Sequence, residues 1–299
     1  MAKKILLTGA SGLLGRPIFK VFQSDPSFSI VGTAFSRAGD KYRKVDITNT
    51  QEMTQLFADV KPDVVIHSAA ERRPDVVEKQ EDKTKALNVD ATRLVCELAA
   101  KHKAFVVYIS TDYLFDGTNP PYSHTAEPNP LNKYGLSKLE GEKVTLDVSK
   151  DNIILRVPLL YGDVEFIDES AVTTLFKKVK NTSENCLMSD YERRFPTHCD
   201  DVAKVLKDLV SRRVQDPSLT GVFHWSGDEN MTKYDMAVVM AEVFGLPTNH
   251  IEADKKPSGG AKRPYDAHLD PSRLEKMGIC HRTPFRDGIK PCLQRFMES

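Results

Sequence analysis

Thr8-Gly9-Ala10-Ser11-Gly12-Leu13-Leu14-Gly15 follows directly on the apolar run Ile5 to Leu7 and opens into an amphipathic segment that reaches Phe22. A strand that ends in such a turn and feeds a helix is the start of a dinucleotide-binding βαβ unit. Gly9 permits the tight turn, Gly12 lets the backbone approach a pyrophosphate, and Gly15 lets the helix pack closely on the strand. The first helical N–H groups then point at the bound anion. The bland alternative is a plain strand-to-helix turn, and the position directly after the first strand argues against it.

Working outward, short β-rich runs recur at Ile30 to Ala34, Val64 to His67, Phe105 to Ile109 and Ile153 to Val157, with helical spacing between them, as in Asp90 to Lys101. Runs this apolar suit strands buried on both faces, so the pattern predicts an α/β fold, a Rossmann-type doubly wound parallel sheet. Beyond Tyr161 the rhythm loosens and Pro and Gly punctuate more often. Residues 1–160 are therefore expected to form the dinucleotide-binding domain and 161–299 a smaller C-terminal lobe of the kind that holds substrate. Val222 to Trp225 is apolar enough to be a further strand, so about 197–226 is expected to return to the main sheet.

The bulk properties exclude several function classes. The chain has 299 residues with 40% hydrophobic content, enough for one core or a core plus a lobe. Lys plus Arg and Asp plus Glu both number 42, without a block of like charge, so neither nucleic acid nor a membrane surface is expected as a partner. The opening Met1 to Ala10 breaks at Gly9, too early for a signal-peptide core or a spanning helix, which predicts a soluble cytoplasmic protein. Cys96, Cys186, Cys199, Cys280 and Cys292 are scattered, without a C-x-x-C pair, so reduced thiols and no metal site are expected. A homo-oligomer stays open.

The end of the second strand decides the cofactor. A site that prefers NAD usually carries a carboxylate there for the ribose hydroxyls. Here the sequence reads Thr33-Ala34-Phe35-Ser36-Arg37, with Lys41 and Arg43 nearby. A 2′-phosphate would be welcomed by Arg37, so NADP(H) is expected. A solvated loop arginine is the competing reading. Asp46 and Ile47 are placed at the adenine edge, and His67-Ser68-Ala69-Ala70 ends the next strand with residues small enough for the chain to pass close under the cofactor. The expected cofactor-binding set is thus Thr8, Gly9, Ser11, Gly12, Leu13, Leu14, Gly15, Phe35, Ser36, Arg37, Asp46, Ile47, Ala69, Ala70, Tyr134, Lys138 and Arg156.

Thr111 lies at the carboxyl end of the fourth long strand, and Tyr134 and Lys138 are four apart where a helix opens downstream. On a helix the two share a face, so the ammonium can lie near the phenol. A tyrosine has an ordinary pKa of about 10, and bringing it near neutrality needs roughly three units, about 4 kcal/mol of differential stabilisation, which a close cation and a nearby nicotinamide charge are expected to supply. The chemistry implied is hydride delivery to a carbonyl, with Tyr134 as proton donor and Thr111 on the carbonyl oxygen. An ordinary surface pair remains the alternative for a lone Tyr–Lys spacing.

These residues, together with Ser110 to Gly117, Tyr134 to Lys138 and the late Lys262 to Asp270, resemble the extended short-chain reductases that act on dTDP-4-keto-6-deoxysugars, the dTDP-4-dehydrorhamnose reductases. The resemblance is tighter to the regulatory beta subunits of methionine adenosyltransferase, carried by Ala69 to Glu78, Phe115 to Tyr122, Arg194 to His198, Phe223 to Gly227 and Met231 to Tyr234. It implies NADP binding by the glycine turn, Arg37 and the Tyr134–Lys138 pair. It also implies a methionine adenosyltransferase catalytic subunit as partner and an effect on S-adenosylmethionine supply, with Thr111, Tyr134 and Lys138 either working or vestigial. The alternative it implies is an NADPH-dependent 4-keto-sugar nucleotide reductase. Vertebrate-type relatives are expected to run on through an aromatic and basic tail that engages the partner. This chain is expected to stop at Gln294 to Ser299 without an N-terminal extension, which predicts weaker partner contact.

Other residues keep two readings. Arg72, Arg73, Arg193 and Arg194 fit an anion pocket or partner-facing patch as well as a solvated surface. Trp225 reads as a core residue with its N–H satisfied rather than a ligand stack. Asp112 serves as a second acid or holds a turn, and Lys262-Arg263-Pro264 faces a diphosphate or enters the last strand.

Overall fold

The apolar runs become strands that extend a residue or two past their apolar centres wherever backbone pairing continues. The computed structural model describes residues 2–297. Glu298 and Ser299 of the chain end, and Met1, lie outside the described residues. The strands are β1 (Lys3–Thr8), β2 (Phe28–Ala34), β3 (Arg43–Lys44), β4 (Val64–His67), β5 (Phe105–Thr111), β6 (Ile153–Val157), β7 (Leu160–Tyr161), β8 (Cys186–Ser189), β9 (Thr197–His198), β10 (Gly221–His224) and β11 (Ile251–Asp254). Seven of them form a parallel sheet in the order β10-β6-β5-β4-β1-β2-β3. From β1 the chain winds outward to β3, then crosses to β4 on the other side. This reversal opens a crevice beyond the carboxyl ends of β1 and β4, where ligands bind in doubly wound sheets.

Side chains alternate across the sheet and need cover on both faces. Ile5, Leu7, Ile66 and Val107 face a core completed by Ile18 and Phe22 of the helix Gly15–Gln23 and by Val202, Leu206 and Leu209 of the helix Cys199–Gln215. Their neighbours Leu6, Val65 and Val106 face the opposite core, against the helices Thr50–Val60 and Ala91–Lys101. Each fully buried aliphatic side chain contributes about 1.5–3 kcal/mol through removal from water. A separate core gathers Tyr161, Phe176, Met236, Met240, Phe285 and Ile289 in the C-terminal part, beside the small parallel pairs β8·β11 and β7·β9.

Gly221–His224 joins the main sheet at its edge by pairing with β6. Trp225, just past it, is fully buried. Its indole N–H finds no hydrogen-bond partner among the described residues, contrary to the expectation of a satisfied one, and the Arg282 guanidinium lies 4.5 Å from its ring centroid. The five cysteines are free thiols. Among the described residues no helix is long and apolar enough to cross a membrane, and no cluster of three His, Cys, Asp or Glu residues is arranged to hold a metal.

Candidate functional site

The turn after β1 lines one side of a cavity of about 610 Å³ at the crevice. Gly9 sits at φ +70, and a side chain there would meet the Ala69 backbone nitrogen at 2.9 Å. The β1 and β4 ends therefore approach as closely as main chain allows. At Gly15 an added Cβ would lie 2.0 Å from the Gly9 carbonyl oxygen, so this position is closed by packing. Gly12 differs: beyond its chain neighbours, among the described residues only the Gly9 carbonyl oxygen, at 3.2 Å, comes within 4 Å of the place a Cβ would take.

Ser11, Leu13 and Leu14 line the cavity with these glycines. Phe35, Ser36 and Arg37 from the β2 end, Asp46 and Ile47 beyond β3, and Ala69 and Ala70 after β4 form its next wall. Thr111, Tyr134 and Lys138 close the far end. Asn132 caps the helix Lys133–Val148 by accepting from the Gly135 N–H at 2.8 Å, which sets the first turn that carries Tyr134.

Two expected members are not brought to the cavity. Thr8 is fully buried, and its hydroxyl accepts from the Ser68 and Ala69 backbone N–H groups at 3.2 and 3.3 Å. Its proton must then go to His67 Nδ1, 2.7 Å away. His67 Nε2 in turn donates to Thr92 Oγ1 at 3.0 Å, and Thr92 donates to the Asn88 carbonyl at 2.8 Å. Thr8 thus organises the chain beneath the cavity without facing it. Arg156 projects from β6 between Leu155 and Val157, which face the first core, so the strand period sends it to the opposite side. There it forms a bidentate pair with Glu142, Nε to Oε1 at 2.9 Å and Nη2 to Oε2 at 2.7 Å, and Nη1 lies 3.3 Å from His224 Nε2.

The Tyr134–Lys138 pair also departs from expectation. Burial pushes the Tyr134 phenol well above its ordinary value, and a hydrogen bond with Thr111 offsets only part of that. Burial lowers the Lys138 ammonium to about 7, with Glu142 opposing. Lys138 donates to the Ile109 carbonyl at 2.7 Å and its Nζ lies 3.9 Å from the Tyr108 ring centroid. Asp112, buried beside them, is raised by burial to about 6 and accepts from the Thr111 hydroxyl at 3.1 Å. The protein alone leaves the phenol a weak acid.

The paired arginines divide. Arg73 pairs with Glu71 at 2.7 Å, while Arg194 is buried and donates to the Arg193 and Pro264 carbonyls at 2.9 and 3.1 Å. Arg263 pairs with Asp75 at 2.7 Å. Arg72 lines the cavity and donates to the Glu169 carbonyl. Sequence reasoning missed Arg16, Glu165 and Glu169. Arg16, one residue past the glycine turn, donates to the Ser11 carbonyl at 2.8 Å and to both oxygens of Glu169 at 2.8 and 2.7 Å. Glu169 also accepts from Arg37 at 2.9 Å and from the Glu165 backbone N–H at 2.8 Å. Burial pushes this carboxyl up, but Arg16, the Glu165 amide and Arg37 together outweigh it and hold it at about 2. The position after the last glycine was the available signal for Arg16. Nothing local marks the glutamates.

Comparison with known proteins agrees with this architecture. The family described as RmlD substrate binding domain matches residues 3–298. Methionine adenosyltransferase 2 subunit beta of Bos taurus is 48% identical over 296 residues, 99% of this chain and 88% of that protein. A hypothetical dTDP-4-dehydrorhamnose reductase from Sulfolobus tokodaii superposes with a TM-score of 0.83 at 28% identity, covering 95% of this chain and 98% of that one. The fold is shared at the same TM-score of 0.83 by the Bacillus anthracis dTDP-4-dehydrorhamnose reductase solved in complex with NADP, at 24% identity, covering 100% of this chain and 99% of that one. The chain therefore belongs to the RmlD substrate binding domain family, extended short-chain dehydrogenase/reductase-like proteins, and within it to the methionine adenosyltransferase 2 subunit beta group.

Proposed function

We propose that the cleft holds NADP(H) and that the chain is a regulatory, non-catalytic cytoplasmic subunit that associates with a methionine adenosyltransferase catalytic subunit and modulates S-adenosylmethionine synthesis. The observation that carries the cofactor is the placement of the cavity-lining Gly12 and Arg37 on one cavity, with no carboxylate on the β2 end itself. The backbone at Gly12 and the first turn of Gly15–Gln23 would take the pyrophosphate. Arg37 would take the 2′-phosphate, and Tyr134 and Lys138 the nicotinamide ribose. A bound nicotinamide supplies hydride-transfer chemistry. In the regulatory reading the same residues serve binding alone, consistent with a Tyr134 phenol that burial keeps protonated. The kinship with beta subunits supports the partner.

Calorimetry tests the cofactor: NADPH is expected to bind more tightly than NADH, and Arg37→Ala to remove the preference. Gly12→Val is expected to fold but to lose stabilisation by NADPH, which for saturating nucleotide at about 100 times Kd amounts to about 2.7 kcal/mol. A Gly12→Val protein still stabilised by NADPH would reduce the glycine turn to a structural role. For the partner, addition of the protein to the catalytic subunit is expected to change that enzyme's kinetics, and Tyr134→Phe to leave the effect intact.

One observation favours a second reading, an NADPH-dependent 4-keto-sugar nucleotide reductase: Thr111, Tyr134 and Lys138 line a single cavity. Turnover of about 1 per second or more on a 4-keto-6-deoxysugar nucleotide, abolished in Tyr134→Phe, would establish it over the first.

A further inference from the structure

The guanidinium assigned to the 2′-phosphate is already engaged. Arg37 Nη1 donates to the Glu165 carboxylate and, at 2.9 Å, to Glu169 Oε1. Both glutamates come from the segment after β7, more than a hundred residues away in the chain. The segment is tied to the glycine turn because Arg16 holds the Ser11 carbonyl with one hand and the Asp163 carbonyl with the other, each at 2.8 Å.

The two glutamates are not equivalent. The Glu169 side chain is 2% exposed, and its oxygens receive four N–H groups, from Arg16 twice, Arg37 and the Glu165 amide. Such a carboxylate is fully engaged and cannot move away without stranding the arginines that donate to it. The Glu165 side chain is 47% exposed, and among the described residues its carboxylate has, beyond Arg37, only Arg16 within ion-pair range, at 3.7 Å. An exposed carboxylate of this kind holds its partner weakly and can rotate into water at little cost.

We propose that Glu165 determines nucleotide specificity by competing with the 2′-phosphate for Arg37. A phosphate monoester carries about 1.5 to 2 negative charges near neutral pH and accepts the same guanidinium donors. With both anions on one guanidinium, their repulsion opposes binding, and relief requires the more exposed carboxylate, Glu165, to move off. NADH carries no 2′-phosphate and makes no such demand. Glu165 therefore lowers NADPH affinity selectively and narrows the discrimination that Arg37 provides. The inference rests on the proposed nicotinamide dinucleotide site and adds to it the residue that tunes its choice.

The experiment is calorimetric titration of the full chain with NADPH and NADH, and with adenosine 2′,5′-bisphosphate against AMP as probes that isolate the 2′-phosphate. Glu165→Gln is expected to tighten NADPH and the bisphosphate by about threefold while leaving NADH and AMP unchanged; the effect is modest because the pair is exposed. Glu165→Lys, which adds a cation, is expected to tighten them by about tenfold, and both gains shrink as salt rises. In an Arg37→Ala background Glu165→Gln is expected to have no effect on the ratio. Equal tightening of all four ligands, an unchanged NADPH to NADH ratio, or a full gain persisting without Arg37 would overturn the role of Glu165. Failure of the unmodified chain to bind either dinucleotide would instead overturn the reading of the cleft itself.

Discussion

Two arginine–carboxylate clusters built from the same chemical groups behave as opposites. Beneath the sheet, Arg156 and Glu142 pair with side chains 5% and 4% exposed, packed against His224. At the cleft mouth, Arg16 and Arg37 share Glu169 and Glu165, with Arg37 37% and Glu165 47% exposed. The first pair is fixed because neither charge can leave without stranding the other in a medium of low polarity. The second is graded, from an immobile Glu169 to an exchangeable Glu165. Solvent access, not residue type, separates an arginine that braces a fold from one able to read a ligand.

The largest expected effect is on the buried pair. Glu142→Ala leaves the Arg156 guanidinium buried without its carboxylate and is expected to lower stability by about 3–5 kcal/mol, read from urea unfolding at neutral pH. A loss below about 1 kcal/mol would mean that Arg156 rehydrates, and the contrast between the clusters would collapse.

Acid separates the regions next. His224 donates from Nδ1 to the Tyr122 carbonyl at 3.2 Å, so Nε2 faces Arg156 as an acceptor. Burial, then Arg156, depresses it to about 3, and burial, then Lys138, does the same to His67. Both folded values lie below the unfolded one, so the unfolded chain takes up the protons first. Their stabilisation is full above about pH 6.5 and is lost progressively as pH falls toward 3, about 2 kcal/mol for each histidine by pH 5. Glu169 should add no loss between pH 7 and 5. Glu169 has a depressed folded pKa, so its contribution is present above the ordinary carboxylate range and is lost as pH falls through about 2. Replacing His224 with Gln is expected to flatten the loss between pH 7 and 5; an unchanged slope would remove the histidine from the account.

Within the mouth cluster, Glu169→Gln keeps the shape but puts an amide where four donors converge. A loss of about 1–3 kcal/mol is expected from mismatched buried groups, seen as a lower thermal midpoint. Glu165→Gln should sit at the small end, within about 0.5 kcal/mol of the parent. If the two substitutions cost the same, the distinction between the anchored and the exchangeable glutamate fails.

Legibility followed locality. The glycine turn declared itself because strand, turn and helix start lie within one short stretch, and the Tyr134–Lys138 face followed from helical spacing alone. Thr8 was misread because adjacency to the glycines says nothing of which way its hydroxyl turns, and its partners His67, Ser68 and Ala69 arrive from another strand. Arg156 was misread because its Glu142 partner is on a helix and His224 on an edge strand. The expectation that a close cation and a nicotinamide charge bring the phenol toward neutrality left out burial, which acts on both Tyr134 and Lys138.

The sequence by itself determined the parallel doubly wound sheet, the place of the cleft and about half of the residues that line it. Those features rest on hydrophobic period, turn chemistry and i to i+4 spacing, all of which operate within a few residues along the chain. Only the tertiary structure decided which arginine is buried with its carboxylate and which is paired at a solvent-exposed cleft mouth. The Arg16–Glu169 contact spans 153 positions and the Arg37–Glu165 contact 128, and no local pattern encodes a charge pair at that separation. Solvent exposure, which sets the strength of each pair, exists only once the sheet and the C-terminal part have packed together.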